Sequence, residues 1–331
     1  MNCPCTKPRL LRWSSILLGN ALLSAVLPLA AMQFTLREAP ATVWFDQNSR
    51  SIRHVVGPSG GARIGDPVIS DVDFASVSPT GRFAIVRLGD QWEWVRLLPE
   101  GAERSALFGL PADIGMVRWA MRAPCAAFFS ESSKTTWKLC ASDGVPVLSG
   151  PSGLGARVTG LDSLELSEDG TRLACIVREE GGTTLMHSEG DLGWSPLRSL
   201  PDGGTIAFRQ RSGSLLVVDR SARLLSEIPF AHGYPSALSA AVALDLSDAR
   251  SLALLQAPGS NLVAVLEDGR ELAVYSLSQG LVRRQPLDIA ISSPTPIGDG
   301  RYLARPISDS DPLQLLDLNR HELVFFVPAS E

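Results

Sequence analysis

Two stretches of the chain, LELSEDGTRLACIV at residues 164–177 and FASVSPTGRFAIV at residues 74–86, carry the same pattern. Each passes from a short apolar segment through a serine, Ser167 or Ser78, and a turn ending in glycine to a basic residue and a second apolar segment. Asp-Gly and Thr-Gly pairs favour the positive backbone dihedral of a tight hairpin turn, and each serine can bond back to the amides of its own turn. The pattern predicts two strands joined by a turn whose role is structural.

The same unit recurs in LDLSDARSLALL at residues 244–255 and in TPIGDGRYLARP at residues 295–306. Between these units, runs of four to eight residues rich in Val, Ile, Leu, Phe and Trp alternate with Gly, Asp, Ser and Pro, the lengths of strands and the chemistry of turns. After residue 31, no stretch keeps a helical apolar period for twelve residues without a Gly or Pro. We therefore expect an all-β chain.

Further apolar pairs follow each unit, so that a repeat contains four strands, as a propeller blade does. The repeats lie near residues 33–57 (partial), 71–108, 112–149, 160–200, 203–230 (shortened), 240–286 and 290–327. About 300 residues divided among seven repeats gives about 43 residues each, within the range of about 40 to 45 for a four-stranded blade. The sequence predicts a β-propeller of four-stranded blades. Seven blades are favoured, and six or eight stay open because residues 203–286 can be divided in more than one way.

The units SPTGRFAIV and SEDGTRLACIV, together with LVVDRSARLLSEI at residues 216–228 and LQLLDLNRHELVFFV at residues 313–327, support a comparison with a known family. They resemble the repeats of bacterial YVTN-type and Tol-associated propellers, which are distant WD-repeat relatives. The resemblance covers nearly all of the chain after residue 31 and implies a secreted β-propeller. Because this architecture hosts many functions, it does not identify the ligand.

The first 31 residues have the order of a secretory signal peptide. Three basic residues precede an uncharged apolar stretch, residues 14–31, that ends in small residues. Cleavage after Ala31 would leave residues 32–331 as a single propeller domain, periplasmic or secreted. An uncleaved membrane anchor is the alternative, although the apolar run is shorter than the ~20 residues of a spanning helix. A membrane contact is expected only if the signal is not cleaved.

The chain after residue 31 is acidic, since it keeps 27 of the 30 Lys and Arg residues against 35 Asp and Glu residues. Nucleic-acid binding depends on basic groups that displace counterions from phosphates. No basic run occurs in this part of the sequence. We therefore expect no DNA or RNA partner.

Two enzyme motifs are spelled in the sequence without the structural context they need. GPSGG at residues 57–61 places Ser59 like a hydrolase nucleophile, which requires a strand before it and a helix after it. SGLGARV at residues 152–158 lacks the third glycine of a dinucleotide-binding loop. Asp309 and Asp311 are a weak candidate metal site, because calcium needs six or more oxygen ligands, and the four histidines are scattered. The sequence predicts no catalytic residue and no cofactor.

Cys125 and Cys140 are the first and last residues of the segment CAAFFSESSKTTWKLC. The midpoint of this segment lies between Ser132 and Ser133, in a polar turn. A simple hairpin places these cysteines opposite each other, and facing residues approach to about 4.5 Å between Cα atoms, which a disulfide tolerates. Export favours oxidation. We predict a Cys125–Cys140 disulfide, with two buried thiols as the alternative.

Four arginines are the candidate binding residues: Arg87, Arg178, Arg209 and Arg305. Each follows an apolar segment predicted as the second strand of a blade, where loops reach the face on which propellers commonly hold ligands. Together they are candidates for binding an anion. The alternative interpretation is that they are solvated strand ends.

Two classes of function fit these observations. The first is a non-catalytic propeller in the cell envelope that binds or scaffolds a protein, peptide or glycan through one face of the ring. The signal segment, the repeat and the missing context of every catalytic motif favour it. The alternative is a propeller-type enzyme, a lactonase-like hydrolase or a quinone-dependent dehydrogenase, with its site at the ring axis. Such a site would combine residues from different blades, which one sequence does not reveal.

Overall fold

The computed structural model describes residues 42–56, 63–98, 101–190, 193–231, 234–237, 240–246, 251–256, 260–292, 294–298, 300–305, 313–319 and 324–327. Within these ranges the chain consists of strands and turns and contains no helix. Accordingly, no helix of this part is long and apolar enough to cross a membrane. The signal segment, Ser59, Asp309 and Asp311 lie outside the described residues, so the interpretations that concern them stay predictions.

The described strands are numbered β1 to β29 in chain order, and all except β19 and β20 belong to seven consecutive antiparallel sheets, blades 1 to 7. Blade 1 contains β1 (Thr42–Asp46), β2 (Ser51–Val56) and β3 (Arg63–Ile69), and blade 2 contains β4 (Phe74–Val77), β5 (Phe83–Leu88), β6 (Gln91–Leu98) and β7 (Gly101–Leu107). Blade 3 contains β8 (Ile114–Trp119), β9 (Cys125–Ser130), β10 (Thr135–Ser142) and β11 (Val145–Gly153). Blade 4 contains β12 (Val158–Leu166), β13 (Arg172–Glu179), β14 (Gly182–Glu189) and β15 (Ser195–Ser199). Blade 5 contains β16 (Gly204–Phe208), β17 (Leu215–Asp219), β18 (Leu224–Ile228) and β21 (Ala240–Ala243). Blade 6 contains β22 (Leu252–Gln256), β23 (Leu262–Glu267), β24 (Glu271–Ser276) and β25 (Gly280–Pro286). Blade 7 contains β26 (Thr295–Pro296), β27 (Arg301–Ala304), β28 (Leu313–Asp317) and β29 (Val324–Val327). A separate hairpin, β19 (Phe230–Ala231) with β20 (Tyr234–Pro235), lies between β18 and β21.

The predicted all-β propeller is confirmed, with seven blades. In blades 2 to 7 the first strand is innermost and the fourth is outermost. We call the face at which the innermost strands begin the start face, and the face at which they turn into the second strands the end face. The three strands described for blade 1 occupy its second to outermost positions, because the β1–β2 turn contacts the start of β4: the Val72 amide donates to the Arg50 carbonyl (3.0 Å) and Arg50 pairs with Asp73.

Two of the predicted repeat boundaries are wrong. The fifth repeat is not shortened, because β21 is its outermost strand, whereas the sequence pattern places these residues in the sixth repeat. The β19–β20 hairpin separates β21 from β18 along the chain, which hides the relation. The first repeat extends to Ile69, the last residue of β3.

Among the described residues, seven apolar clusters hold the ring together, one between each pair of neighbouring blades. The second strands are buried on both faces. In β13, for example, Leu173, Cys175 and Val177 pack toward blade 3, and Ala174 and Ile176 pack toward blade 5. This double burial explains why such strands read as unbroken apolar runs in the sequence.

Blade 7 closes the ring against blade 1. Val55 and Ile64 of blade 1 share a cluster with Leu303 and other apolar residues of blade 7. Across the same junction, the Arg305 guanidinium donates to the Gln47 side-chain oxygen (2.7 Å). The first and last repeats are thereby brought together, although they are far apart in the chain.

Each of the two serine turns joins two strands, as predicted, and the structure shows that these are the innermost and the second strand of a blade. The Ser167 side-chain oxygen accepts the Arg172 amide (2.9 Å), and Ser78 accepts the Phe83 amide (3.1 Å). Gly170 closes the first of these turns at φ 75°, where a Cβ atom would approach the Cys125 sulfur to 2.6 Å. Only glycine meets both requirements at this position.

Gly170→Ala should therefore destabilise the fold more than a substitution that meets only the backbone requirement. Gly144 is the matched control, since its φ is 83° and nothing lies within 4 Å of the position that a methyl group would take. We expect Gly144→Ala to cost about 1–2 kcal/mol of unfolding free energy and Gly170→Ala to cost about 1–3 kcal/mol more, because of steric overlap. Urea denaturation measures both, and equal costs would contradict the steric part.

Cys125 and Cys140 face each other in the register of the β9–β10 hairpin. Their Cα atoms are 4.1 Å apart, and their sulfurs form a disulfide. Cys175, in the same apolar cluster between blades 3 and 4, is a free buried thiol. The disulfide thus fastens the second and third strands of blade 3.

Replacing both Cys125 and Cys140 with alanine should lower the free energy of unfolding by about 2–4 kcal/mol, because the cross-link restricts the unfolded chain. Urea denaturation of the oxidised proteins measures the difference. A reductant should destabilise the wild type and Cys175→Ala but leave the double variant unchanged. Insensitivity of the wild type to reductant would show that the disulfide contributes nothing.

Candidate functional site

A cavity of about 280 Å³ lies on the ring axis and is lined by blades 2 to 7. Its size is near the lower end of small-ligand pockets, which occupy about 300–1,000 Å³. The innermost strands β4, β8, β12, β16, β22 and β26 form its wall. At the end face, Pro79, Met121, Glu168 and Gln210 contribute from the turns that follow four of these strands. The cavity therefore reaches the end face of the ring.

The repeat places equivalent residues around this axis. Ser76 and Glu165 both lie two positions before the turn serine of their repeats, and both line the cavity. Arg118, Ala207 and Thr295 hold the matching position in blades 3, 5 and 7, each two residues before the residue whose amide closes the turn. Of these five side chains, only Arg118 and Glu165 carry a charge. The charged side chains at these five positions thus belong to blades 3 and 4.

Glu165 is held loosely. Its Oε1 lies 3.7 Å from the Arg118 Nε atom, which is too long for a hydrogen bond. Within the described part of the chain, no other charged partner or hydrogen-bond donor reaches this carboxylate. Its side chain is 28% exposed, and this surface faces the axial cavity. Burial raises the pKa of Glu165 from 4.5 to about 7, and the charge of Arg118 only partly opposes the shift.

Other polar residues of the cavity wall are tied to protein partners. Asp162 pairs with the Arg178 Nε atom at 2.8 Å. The Tyr302 hydroxyl donates to the Gln256 carbonyl (3.0 Å) and accepts the Gln256 amide (2.7 Å), which joins blades 6 and 7. Burial raises the pKa of Tyr302, and the nearby negative charge of Glu165 acts in the same direction. This phenol therefore stays neutral at physiological pH.

Glu168 connects three blades at the end-face mouth. Its carboxylate pairs with the Arg122 Nε atom of blade 3 at 2.6 Å and accepts the Arg211 amide of blade 5 at 2.8 Å. Its carbonyl accepts two further amides from the blade 3 turn. These contacts fix the rim of the cavity beside Glu165.

Three of the four predicted binding arginines lie at the end of a second strand, as expected: Arg87, Arg178 and Arg305. The predicted position of Arg209 is wrong, because this residue follows β16, the innermost strand of blade 5, and lies on the end face. Residues 205–208 of β16 are all buried, so this strand has the apolar sequence typical of a second strand.

The four arginines do not form one site. They belong to blades 2, 4, 5 and 7, and each has its own partner. Arg87 donates to the Ala112 carbonyl (2.6 Å), and Arg209 forms two contacts of 3.0 Å to Glu227. Arg178 pairs with Asp162 of the cavity wall, and Arg305 donates to Gln47. Binding of an anion by these residues stays a prediction.

Neither Arg118 nor Glu165 stands out in the sequence alone. A comparison of equivalent positions between repeats is needed to notice them. SLEL at residues 163–166 has a carboxylate where the equivalent ASV at residues 75–77 has a serine. This difference acquires meaning only when the position is known to face the axis. Among the described residues, no group of three or more His, Cys, Asp or Glu side chains is arranged to hold a metal.

Solved structures that resemble this chain are β-propellers, which defines the class of protein. A protein of unknown function from Desulfotomaculum acetoxidans has a TM-score of 0.59 at 12% identity, with 87% of this chain and 95% of that chain covered. A candidate 6-phosphogluconolactonase from Bacteroides uniformis has a TM-score of 0.59 at 14% identity, with 87% and 95% covered. Chaetomium thermophilum Sqt1, bound to the N-terminus of ribosomal protein L10, has a TM-score of 0.53 at 14% identity, with 88% and 84% covered. No protein-family model and no curated protein matches the sequence.

The raised pKa of Glu165 predicts a specific pH dependence of stability. The folded chain binds the Glu165 proton more tightly than the unfolded chain does. The free energy of unfolding that this proton contributes is therefore fully present below about pH 4.5 and is lost as the pH rises to about 7. The loss has an upper limit of about 3 kcal/mol. Glu165→Gln should remove this part of the pH dependence, as measured by urea denaturation from pH 4 to pH 8.

Glu103→Gln is the matched control, since Glu103 is an exposed carboxylate of β7 paired with Arg96 at 3.4 Å. This variant should keep the wild-type profile. If Glu165→Gln declines with pH as steeply as the wild type does, the carboxylate titrates normally and the raised pKa is disproved.

Proposed function

We propose that this protein is a non-catalytic binding propeller of the cell envelope that holds a protein or peptide partner at the end-face mouth of the axial cavity. The observation that carries the proposal is which polar side chains of the cavity wall already have protein partners. Asp162, Glu168 and Tyr302 are engaged with protein groups, and the loosely held Arg118–Glu165 pair faces open space. This arrangement suits recognition of a partner group that enters along the axis.

The end face is favoured for two reasons. Arg118 and Glu165 lie near the ends of β8 and β12, close to the turns on that face. The turns also contribute Pro79 and Met121, which give the mouth an apolar part suited to a side-chain stem. A peptide is a partner with precedent in this fold, because Sqt1 was solved bound to the N-terminus of another protein. A glycan is the other ligand class that an open polar rim accommodates.

The proposed location in the periplasm or outside the cell draws support from three features. The first 31 residues have a basic head followed by an apolar stretch. The Cys125–Cys140 disulfide fits an oxidising compartment. The turn sequences resemble those of secreted YVTN-type and Tol-associated propellers, and we include membership of that group in the proposal.

A lactonase-like hydrolase is the second candidate, and Glu165 is the observation that favours it. A carboxylate whose pKa is about 7 is suited to general acid–base catalysis at neutral pH. One similar structure is a candidate 6-phosphogluconolactonase. Hydrolysis of 6-phosphogluconolactone above its spontaneous rate, abolished in Glu165→Gln, would establish this candidate and replace the non-catalytic proposal.

The binding proposal predicts that random peptides displayed on phage, selected on the purified protein, bind at the end-face mouth. Met121→Arg should weaken the selected peptides at least tenfold, because it places a long charged side chain at the cavity entrance. Phe108→Arg is the matched control, since Phe108 is 82% exposed in the β7–β8 connection on the start face. Fluorescence anisotropy measures each affinity. Peptides that depend on Phe108 and not on Met121 would place the site on the wrong face, and an empty selection would contradict the proposal.

A further inference from the structure

The axial cavity carries a more specific inference, which rests on the proposed function. We propose that it receives the primary ammonium group of a lysine side chain from the partner, with the Glu165 carboxylate as the acceptor. Three properties of the cavity support this ligand: the free hydrogen-bonding capacity of Glu165, the charge of the wall, and the geometry around the carboxylate.

The carboxylate of Glu165 has acceptor capacity that the described part of the chain does not use. The nearest charged group, the Arg118 Nε atom, lies 3.7 Å away. No described donor forms a hydrogen bond with either oxygen. An ammonium group has three donors and no acceptor. It would supply what Glu165 lacks and would restore the charge that burial disfavours.

The charge of the cavity wall favours a cation. Among the described residues, three carboxylates line the cavity, those of Asp162, Glu165 and Glu168, against the single guanidinium of Arg118. Arg178 and Arg122 neutralise Asp162 and Glu168, so Glu165 is the one of these three carboxylates without a close cationic partner. Tyr302, the remaining titratable group described there, is neutral because burial raises its pKa. An anionic ligand would meet the Glu165 carboxylate at close range.

The geometry selects an ammonium group over a guanidinium or a metal ion. Arg118 lies nearest to Oε1 of Glu165 (3.7 Å), so an incoming cation is repelled least at the other oxygen, Oε2. A guanidinium gains most from two parallel contacts to a carboxylate, whereas an ammonium is a compact donor that needs only one. A calcium ion needs six or more oxygens, but Asp162 and Glu168 are already paired.

The shape of the cavity fits the rest of a lysine side chain. Around the axis at the level of Glu165, Ser76, Ala207 and Thr295 are small and leave the lumen open. Met121, at the mouth, offers an apolar contact to a methylene stem. Lysine commonly buries such a stem while its charged end reaches a polar group. Entry from the end face therefore brings the ammonium to Glu165.

The first test uses n-butylammonium, the side chain of lysine without its backbone, on the purified protein. NMR of the 13C-labelled Glu165 carboxyl should show saturable shifts and a pKa that moves from about 7 toward its ordinary value. n-Butanol, which has the same stem without the charge, is the control and should cause neither change. If butylammonium does not saturate, or if butanol acts equally, the inference fails whatever the peptide selection finds.

The second test asks whether the ammonium comes from a partner. Selected peptides that depend on Met121 should contain a lysine, and norleucine in its place should weaken binding at least thirtyfold in the wild type but not in Glu165→Gln. Glu103→Gln should behave as the wild type. Affinity should fall from pH 8 to pH 6 as Glu165 takes up its proton, while the lysine stays charged, and Glu165→Gln should show no such fall.

The outcomes separate the two proposals. Peptides that bind at the mouth without needing a lysine would overturn the lysine inference and leave the binding function intact. If no selected peptide binds at the mouth but butylammonium still binds to Glu165, the ammonium group does not come from a protein partner. That outcome would indicate a small free amine as the ligand. A lysine peptide with no greater affinity than butylammonium would lead to the same conclusion.

Discussion

Each blade is apolar on both faces, and the burial of both faces between neighbours is the interaction on which the rest of the structure depends. In β5, Ala84 and Val86 pack toward blade 1 while Ile85 packs toward blade 3. A large apolar side chain contributes about 1.5–3 kcal/mol when fully buried, and no blade can obtain this on its own. Stacking must therefore continue until the last blade meets the first, where Leu303 and Arg305 of blade 7 contact blade 1.

Closure of the ring also creates the candidate site. In blades 2, 3, 4, 5 and 7 the repeat places one residue at an equivalent position on the axis, and the ring gathers these residues from different parts of the sequence. Where they hold Ser76, Ala207 and Thr295, the axis stays open and weakly polar. Where they hold Arg118 and Glu165, two charges meet at 3.7 Å inside a narrow cavity. The turn residues of the repeats stay alike because they serve the fold, and the axial residues differ because they face the lumen.

The interface between blades 3 and 4, which contains this charged pair, is heavily braced. Cys125, fastened by its disulfide, packs in the cluster between these blades and touches the tight turn at Gly170. At the end face, Glu168 pairs with Arg122 across the same interface. Such support holds a binding group within the narrow tolerances that recognition requires. The loose contact of Glu165 therefore reflects its surroundings in the lumen and not a loosely packed region.

The sequence by itself determined the features that depend on local chemistry. Turn residues such as Gly170 and the apolar runs beside them predict strands, the repeat predicts a propeller, and the polar turn at residues 132–133 sets Cys125 opposite Cys140. Tertiary structure alone decided the features that depend on ring closure. It assigned β21 to blade 5, placed Arg209 after an innermost strand, and brought Arg118 to Glu165. The reason is physical: turn chemistry acts over a few residues, whereas which strand is innermost and which residues meet on the axis follow from contacts between whole blades.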